Sequence, residues 1–328
     1  MQIQRRLKLC ALLSSCLLFS FPALTSPQGT NYPTRPITFV VPNAAGGAAD
    51  NLARSFAEEL SRKIGQPIVV ENLGGASGAL AAQKVLRANP DGYTLLFGTT
   101  SDMVVTPIAN KAAGYASKDF TSIVKVGTTP MSLVARNNLG ISNAEQLVTL
   151  AKQKPGTLSM GVTGNASLQA FAAVALQRAA KIDLIGVPYK GGAAAITDLM
   201  GGQIDLVISV LPGVLGQVRN GKVQMLGVLS EKRSPYAPEL PTLGETPAFK
   251  GVTTEIWAGI AGPAGLPEAV TDKISKAAKL VLEDTQYVQQ RAKLGDSSVP
   301  YMTPAAFSRF VAEEDAKYRD LATGLKLE

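Results

Sequence analysis

The chain has 328 residues, 32 Lys+Arg against 25 Asp+Glu, a formal charge of +7 and 46% hydrophobic residues. It contains no histidine and two cysteines, which rules out a Ser-His-Asp triad and removes the commonest general base near neutral pH. The basic residues are scattered, with no dense run and no interleaved aromatics, and this argues against nucleic-acid binding.

Arg5, Arg6 and Lys8 precede an uncharged run from Leu9 to Phe21 and small residues around Ala23 to Ser26, the three-part layout of a secretory signal peptide over residues 1–26. Pro22 closes the run short of the ~20 apolar residues that span a bilayer. Leu13-Ser14-Ser15-Cys16 has the form of a lipoprotein cleavage box. The apolar Leu17-Leu18-Phe19 behind it is unsuited to a mature N-terminus, so the expected mature chain starts between Leu24 and Pro27 without lipid. Cys10 and Cys16 then leave with the leader, no thiol or imidazole remains to hold a transition metal, and the charge falls to +4. Roughly 300 mature residues exceed the usual size of one core, which points to two lobes.

Short β-rich runs then alternate with amphipathic stretches. Pro36 to Val41 reads as a strand covered on both faces. The following helix carries Leu52, Ala53, Phe56, Leu60 and Ile64 on one face and ends at Gly65. Ile68–Val70 and Tyr93–Phe97 read as strands flanking a helix from about Ser77 to Ala88. Met131 to Ala135 is a further strand, and Ser142-Asn143-Ala144-Glu145 reads as a capping box with Glu145 as its acidic member. Strands are expected at Leu158–Val162, Ile185–Val187, Ile204–Ile208 and Met225–Leu229, with helices beginning near Ser167, Ala193 and Pro212. The Pro- and Gly-rich segment from Ser230 to Val252 reads as a return crossing between lobes. Ile256 to Ala261 is the last strand, before helices from about Pro267 and from Pro304, the latter capped by Thr303.

No GxSxG elbow, P-loop, HExxH or GxGxxG occurs, and no catalytic residue, cofactor or metal is expected. Small-residue loops between strand ends and helix starts are the places where open α/β sheets bind ligands. The first is Pro42, Asn43, Ala44, Ala45, Gly46, Gly47, then Ala48-Ala49-Asp50. Its helix N-terminus favours an anion, and the alternative is a tight turn with Asp50 stabilising its own helix. The second is Gly161-Val162-Thr163-Gly164-Asn165-Ala166-Ser167, where Ser167 or Asn165 can equally be no more than an N-cap. Gly98-Thr99-Thr100-Ser101-Asp102 is a third, with Thr99 and Ser101 as candidate contacts. Asp205 at a strand end either holds a ligand amine or hydroxyl, or closes a turn or pairs with a nearby Lys.

Taken in order, Tyr32-Pro33-Thr34-Arg35-Pro36-Ile37, Gly46-Gly47-Ala48-Ala49-Asp50, Gly75-Ala76-Ser77-Gly78, Asn89-Pro90-Asp91-Gly92-Tyr93, Val187-Pro188-Tyr189-Lys190-Gly191 and Gly201-Gly202-Gln203-Ile204-Asp205 resemble the Bug or TctC-like solute-binding proteins of tripartite tricarboxylate transporters. The resemblance extends through Leu240-Pro241-Thr242 and Trp257-Ala258-Gly259. It implies an α/β, two-lobed periplasmic binding protein of type II-like form, each lobe a mostly parallel sheet flanked by helices. Lobe 1 is expected from residues 27–126 plus 251–328 and lobe 2 from 127–250. The implied function is capture of a small carboxylate (di- or tricarboxylate, acidic amino acid or aromatic acid) in the cleft by lobe closure, as a monomer, for delivery to membrane transporter subunits. The alternative is a ligand-sensing protein signalling to a membrane sensor kinase. Gln169 stands where many relatives have His, and Asn43 where many have an aromatic, so the resemblance leaves the ligand open.

Overall fold

The computed structural model describes residues 31–323 apart from 44, 47, 163–166, 190–191, 235–236 and 294–298. The leader and its cleavage region therefore lie outside the described residues. Ile37–Val41 forms β1, with Ile37, Phe39 and Val41 buried in one core and Val40 in another. α1 (Ala48–Ile64) buries the expected stripe of Leu52, Ala53, Phe56, Leu60 and Ile64. β2 (Ile68–Asn72), α2 (Ala79–Leu86), β3 (Thr94–Thr99) and the short α3 (Thr106–Ala109) complete a first block, in which β1 pairs in parallel with both β2 and β3.

β4 (Phe120–Arg136) is 17 residues long, much longer than the strand expected at Met131–Ala135. Two bulges, between Ser122 and Val124 and between Lys125 and Gly127, break the alternation of its first part, and Pro130 reads as a stop. A second block follows: α4 (Ala144–Gln153), β5 (Ser159–Val162), α5 (Leu168–Ala180), β6 (Ile185–Pro188), α6 (Gly192–Met200), β7 (Leu206–Val210), α7 (Leu211–Arg219) and β8 (Val223–Val228). β9 (Glu255–Pro263), α8 (Glu268–Leu282), α9 (Thr285–Lys293) and α10 (Pro304–Ala322) end the described chain. The cap of α4 is shifted by one residue from expectation. Asn143 Oδ1 accepts from Gln146 N at 2.9 Å, and Gln146, not Glu145, reaches back to accept from Ser142 N at 2.7 Å.

The strand order is β2-β1-β3-β9-β4-β7-β5-β6, with β8 also on β4. From Phe120 to Pro130 β4 pairs antiparallel with β9, and from Met131 onward with β7 and β8. At that switch Leu229 N donates to Met131 O (2.7 Å), Thr254 N to Leu229 O (2.9 Å) and Met131 N to Thr254 O (3.2 Å). Three chain segments are thus tied at one level. The Pro- and Gly-rich return is more than a crossing: it forms short turns at Leu243–Glu245 and Pro247–Phe249 and buries Phe249 in the same core as Phe171.

α1 and α8 cover one face of the first half, α2 and α10 the other, while α5 and the α6–α7 pair flank the second half. α10 touches both halves. Phe307 and Phe310 meet Trp257 edge-on at 5.6 and 5.7 Å, Tyr318 meets Phe171 of α5 at 5.5 Å, and Arg178 donates to Asp320 O at 3.1 Å. One core cluster consequently runs from Val40 and Leu96 to Phe171 and Ile208. Phe307 is fully buried, so Phe307→Ala should cost about 3–5 kcal/mol of unfolding free energy. Urea denaturation followed by Trp257 fluorescence checks this, and a loss below ~1 kcal/mol would show that α10 is not part of the common core.

Candidate binding site

The C-terminal ends of β1, β2 and β3 open at one edge of the first half, because the three strands are parallel. After β1, Pro42 is buried, whereas Asn43, Ala45 and Gly46 are exposed; Ala44 and Gly47 lie outside the described residues. Asp50 braces this loop. Its carboxylate accepts from Gly46 N (2.8 Å), Asn72 Nδ2 (2.9 Å) and Arg54 Nε (3.0 Å), and Arg54 also donates to Asn72 Oδ1 at 2.8 Å. The Arg54 guanidinium and the Gly46 N–H hold the Asp50 carboxyl at about 2, below its usual range. With its oxygens engaged, Asp50 ties the Gly46 N–H to the first turn of α1, and Asn72 Nδ2 also donates to Asn43 O at 3.1 Å. Arg54 and Asn72 were not singled out in the sequence; the i,i+4 spacing of Asp50 and Arg54 was the available signal.

After β3, Thr99 and Asp102 form a closed pair. Thr99 Oγ1 donates to Asp102 Oδ1 at 2.5 Å and Thr99 N to Oδ2 at 2.8 Å, so the Thr99 proton is already committed. Residues Ser101–Val105 make a π-helical turn, and Tyr115 OH donates to the Asp102 carbonyl at 2.5 Å. Ser101 is half-buried at the start of that turn. Burial pushes the Asp102 carboxyl up to about 6, with the Thr99 hydrogen bonds opposing.

After β2 the chain makes a left-handed turn. Gly75, Ala76, Ser77 and Gly78 have φ of 122°, 47°, 55° and 90°. Two of these residues carry a Cβ, and left-handed backbone costs such residues roughly 1–2 kcal/mol each. The turn is wedged between its neighbours: a Cβ on Gly78 would sit 2.7 Å from Asp102 Cβ and 3.1 Å from Pro42 Cβ. Thr106 Oγ1 donates to Ser77 O at 2.8 Å. The helix expected from about Ser77 accordingly begins at Ala79.

In the second half, Thr163, Gly164, Asn165 and Ala166 lie outside the described residues. Ser167 is the N-cap of α5, its Oγ accepting from Ala170 N at 3.2 Å, and Gln169 is half-buried on the first turn. Asp205 lies just before β7, beside the start of β5 and the end of β4. It accepts from Arg136 Nε (2.9 Å), Ser159 N (2.8 Å) and Ser159 Oγ (2.8 Å). That is a turn-closing, ion-paired role, with Arg136 in place of the expected lysine, at the opposite end of β5 from Val162.

Asp102 generates a pH prediction. Its folded value of about 6 exceeds 3.8, so between those values the folded state binds more protons than the unfolded state. Stability should fall as pH rises through that window and stay level above it, by at most ~3 kcal/mol. Asp102→Asn keeps an acceptor for Thr99 N–H and offers its amide to the Thr99 hydroxyl. The variant should be more stable than the parent at pH 7.5 and match it near pH 4. Urea unfolding across pH checks this, and parallel curves would refute it.

Residues 52–327 match the family described as the tripartite tricarboxylate transporter family receptor, TctC. A UPF0065 protein of Agrobacterium vitis is 33% identical over 286 residues, covering 86% of this chain and 82% of the relative. The adipate-bound Rpa4515 of R. palustris has a TM-score of 0.76 at 29% identity, over 90% of this chain and 99% of that one. The malate-bound MatC of Rhodopseudomonas palustris has a TM-score of 0.73 at 28% identity, over 88% and 99%. With the family match running from α1 to the C-terminus on a shared fold, this chain belongs to the TctC family of tripartite tricarboxylate transporter receptors.

Proposed function

We propose that the protein is an exported, monomeric receptor that binds a small carboxylate between two lobes and hands it unchanged to membrane subunits of a tripartite tricarboxylate-type transporter. One observation carries the reading. In each half a parallel strand is followed in the chain by a helix N-terminus, β1 by α1 and β5 by α5, with residues 42–47 and 163–167 as the sequence between them. Neither loop contains Lys or Arg. The ligand classes are those of the family: di- and tricarboxylates, acidic amino acids and aromatic acids. The adipate and malate held by similar structures support the dicarboxylates among them.

In this reading lobe 1 comprises residues 27–126 and 251–328 and lobe 2 residues 127–250. The change of β4 partners at Met131 supports that division. The ligand meets Pro42 to Gly47, Ser101, and Thr163 to Ser167 with Gln169; Thr99 shapes the wall through Asp102. Asp50 acts from behind its loop, and Asp205 is left out of the contact set.

Backbone donors and hydroxyls at two helix ends supply the affinity. One helix terminus contributes about 0.3–2 kcal/mol to a nearby anion, whereas micromolar binding needs about 8 kcal/mol, so several modest contacts must add. Calorimetry with adipate, malate, glutamate and benzoate should find one bound ligand per chain, recovered unchanged by mass spectrometry. Ser167→Ala should weaken it about fivefold. A ligand that is turned over, or a single Lys→Ala change that abolishes binding, would overturn the proposal.

A further inference from the structure

The turn Gly75–Gly78 holds two residues with a Cβ, Ala76 and Ser77, in a conformation unfavourable to them. Glycine at positions 76 and 77 would remove the strain while leaving the connection intact, yet Ala76 and Ser77 stand there with φ of 47° and 55°. Both side chains are exposed, and Ser77 engages the rest of the chain through its carbonyl, which accepts from Thr106 Oγ1. No hydrogen bond of its hydroxyl occurs among the described residues. Exposed side chains on strained backbone add nothing to packing. Strain of this kind persists where surrounding structure over-determines it, and it clusters at ligand clamps.

The surroundings here are specific. Gly78 N donates to Gly75 O at 2.9 Å, closing the turn. A Cβ at Gly78 would run into Asp102 of the third loop and press on Pro42 of the first, so the turn passes closely between them. Ser77 therefore stands at the strand-end edge that carries the loop before α1, one strand outward from it. A serine hydroxyl there is a neutral donor, suited to an oxygen of a second polar group lying away from the anchored carboxylate.

We propose that Ser77 is a specificity-determining residue, whose hydroxyl bonds the second oxygen-bearing end of a dicarboxylate and so distinguishes it from a monocarboxylate of the same length. The inference rests on the carboxylate reading given above. It explains why a strained serine stands where glycine folds more easily: stability is exchanged for a fixed hydroxyl at the edge of the site.

The test compares the parent with Ser77→Ala, which keeps the backbone and deletes the hydroxyl, and Ser77→Gly, which deletes the hydroxyl and the strain. Calorimetry measures adipate directly and hexanoate by competition. Both variants should lower the adipate-over-hexanoate affinity ratio about tenfold or more, the scale of one hydrogen bond to a charged group. Ser77→Gly should in addition raise the thermal midpoint of the ligand-free protein, while Ser77→Ala leaves it unchanged. An unchanged ratio in both variants, with adipate still bound by the parent, overturns the role of Ser77 and spares the carboxylate reading. A parent that binds neither adipate nor any other carboxylate tested overturns both. A Ser77→Gly variant no more stable than the parent removes the strain premise and the inference with it.

Discussion

One strand, β4, is the axis on which the molecule is assembled. Its first eleven residues bond to β9 and its last six to β7 and β8. Every other strand reaches β4 directly or through a succession of paired strands, so the two halves share a backbone hydrogen-bond ladder and not merely a linker. Bonds of such a ladder are cooperative and costly to leave unmade when buried. The change of partner at Met131, tied to Leu229 and Thr254, is therefore a point at which the chain can bend while its ladder stays complete. α10 reinforces the same axis from one side, carrying Phe307 against Trp257 and Tyr318 against Phe171.

Two buried aspartates near the strand-end edge show how environment separates identical side chains. Asp50 has a guanidinium and two N–H donors and is held as a firm anion. Asp102 has one amide and one hydroxyl and sits in apolar surroundings that disfavour its charge. The first pairs with Arg54 of its own helix, so the two charges largely cancel beside the start of α1. The second fixes the π-helical turn behind Thr99 and narrows the space at Gly78 and Gly98.

Local patterns made much of this legible in the sequence. The nearly continuous apolar run from Pro36 to Val41, the stripe of α1 and the Thr303–Pro304 start of α10 all depend on neighbours within a few positions, and the structure has each within one residue of where the pattern put it. What escaped depends on remote partners. The first part of β4 hides its alternation behind bulges that only β9 explains. The left-handed backbone of Ala76 and Ser77 is imposed by Pro42, Asp102 and Thr106, none of which a local pattern connects to it. Asn72 and Arg54 became part of the brace on Asp50 only when β2 was laid beside β1. For Asp205 the strand end was legible, but which end of the sheet it occupied was not.

The place of β9 in the sheet also governs when the protein can fold. It lies between β3 and β4, and the Thr100 hydroxyl bonds Trp257 across 157 positions of sequence. Residues 31–136 thus contain most of the strands of the first half but not the strand that joins them. Pairings of such long range are slow to form, because loop closure precedes any gain. A polypeptide emerging from the ribosome N-terminus first stays without its central strand until its final quarter has been made. Through that interval β3 and β4 have no strand to join them, and the sheet of the first half stays incomplete.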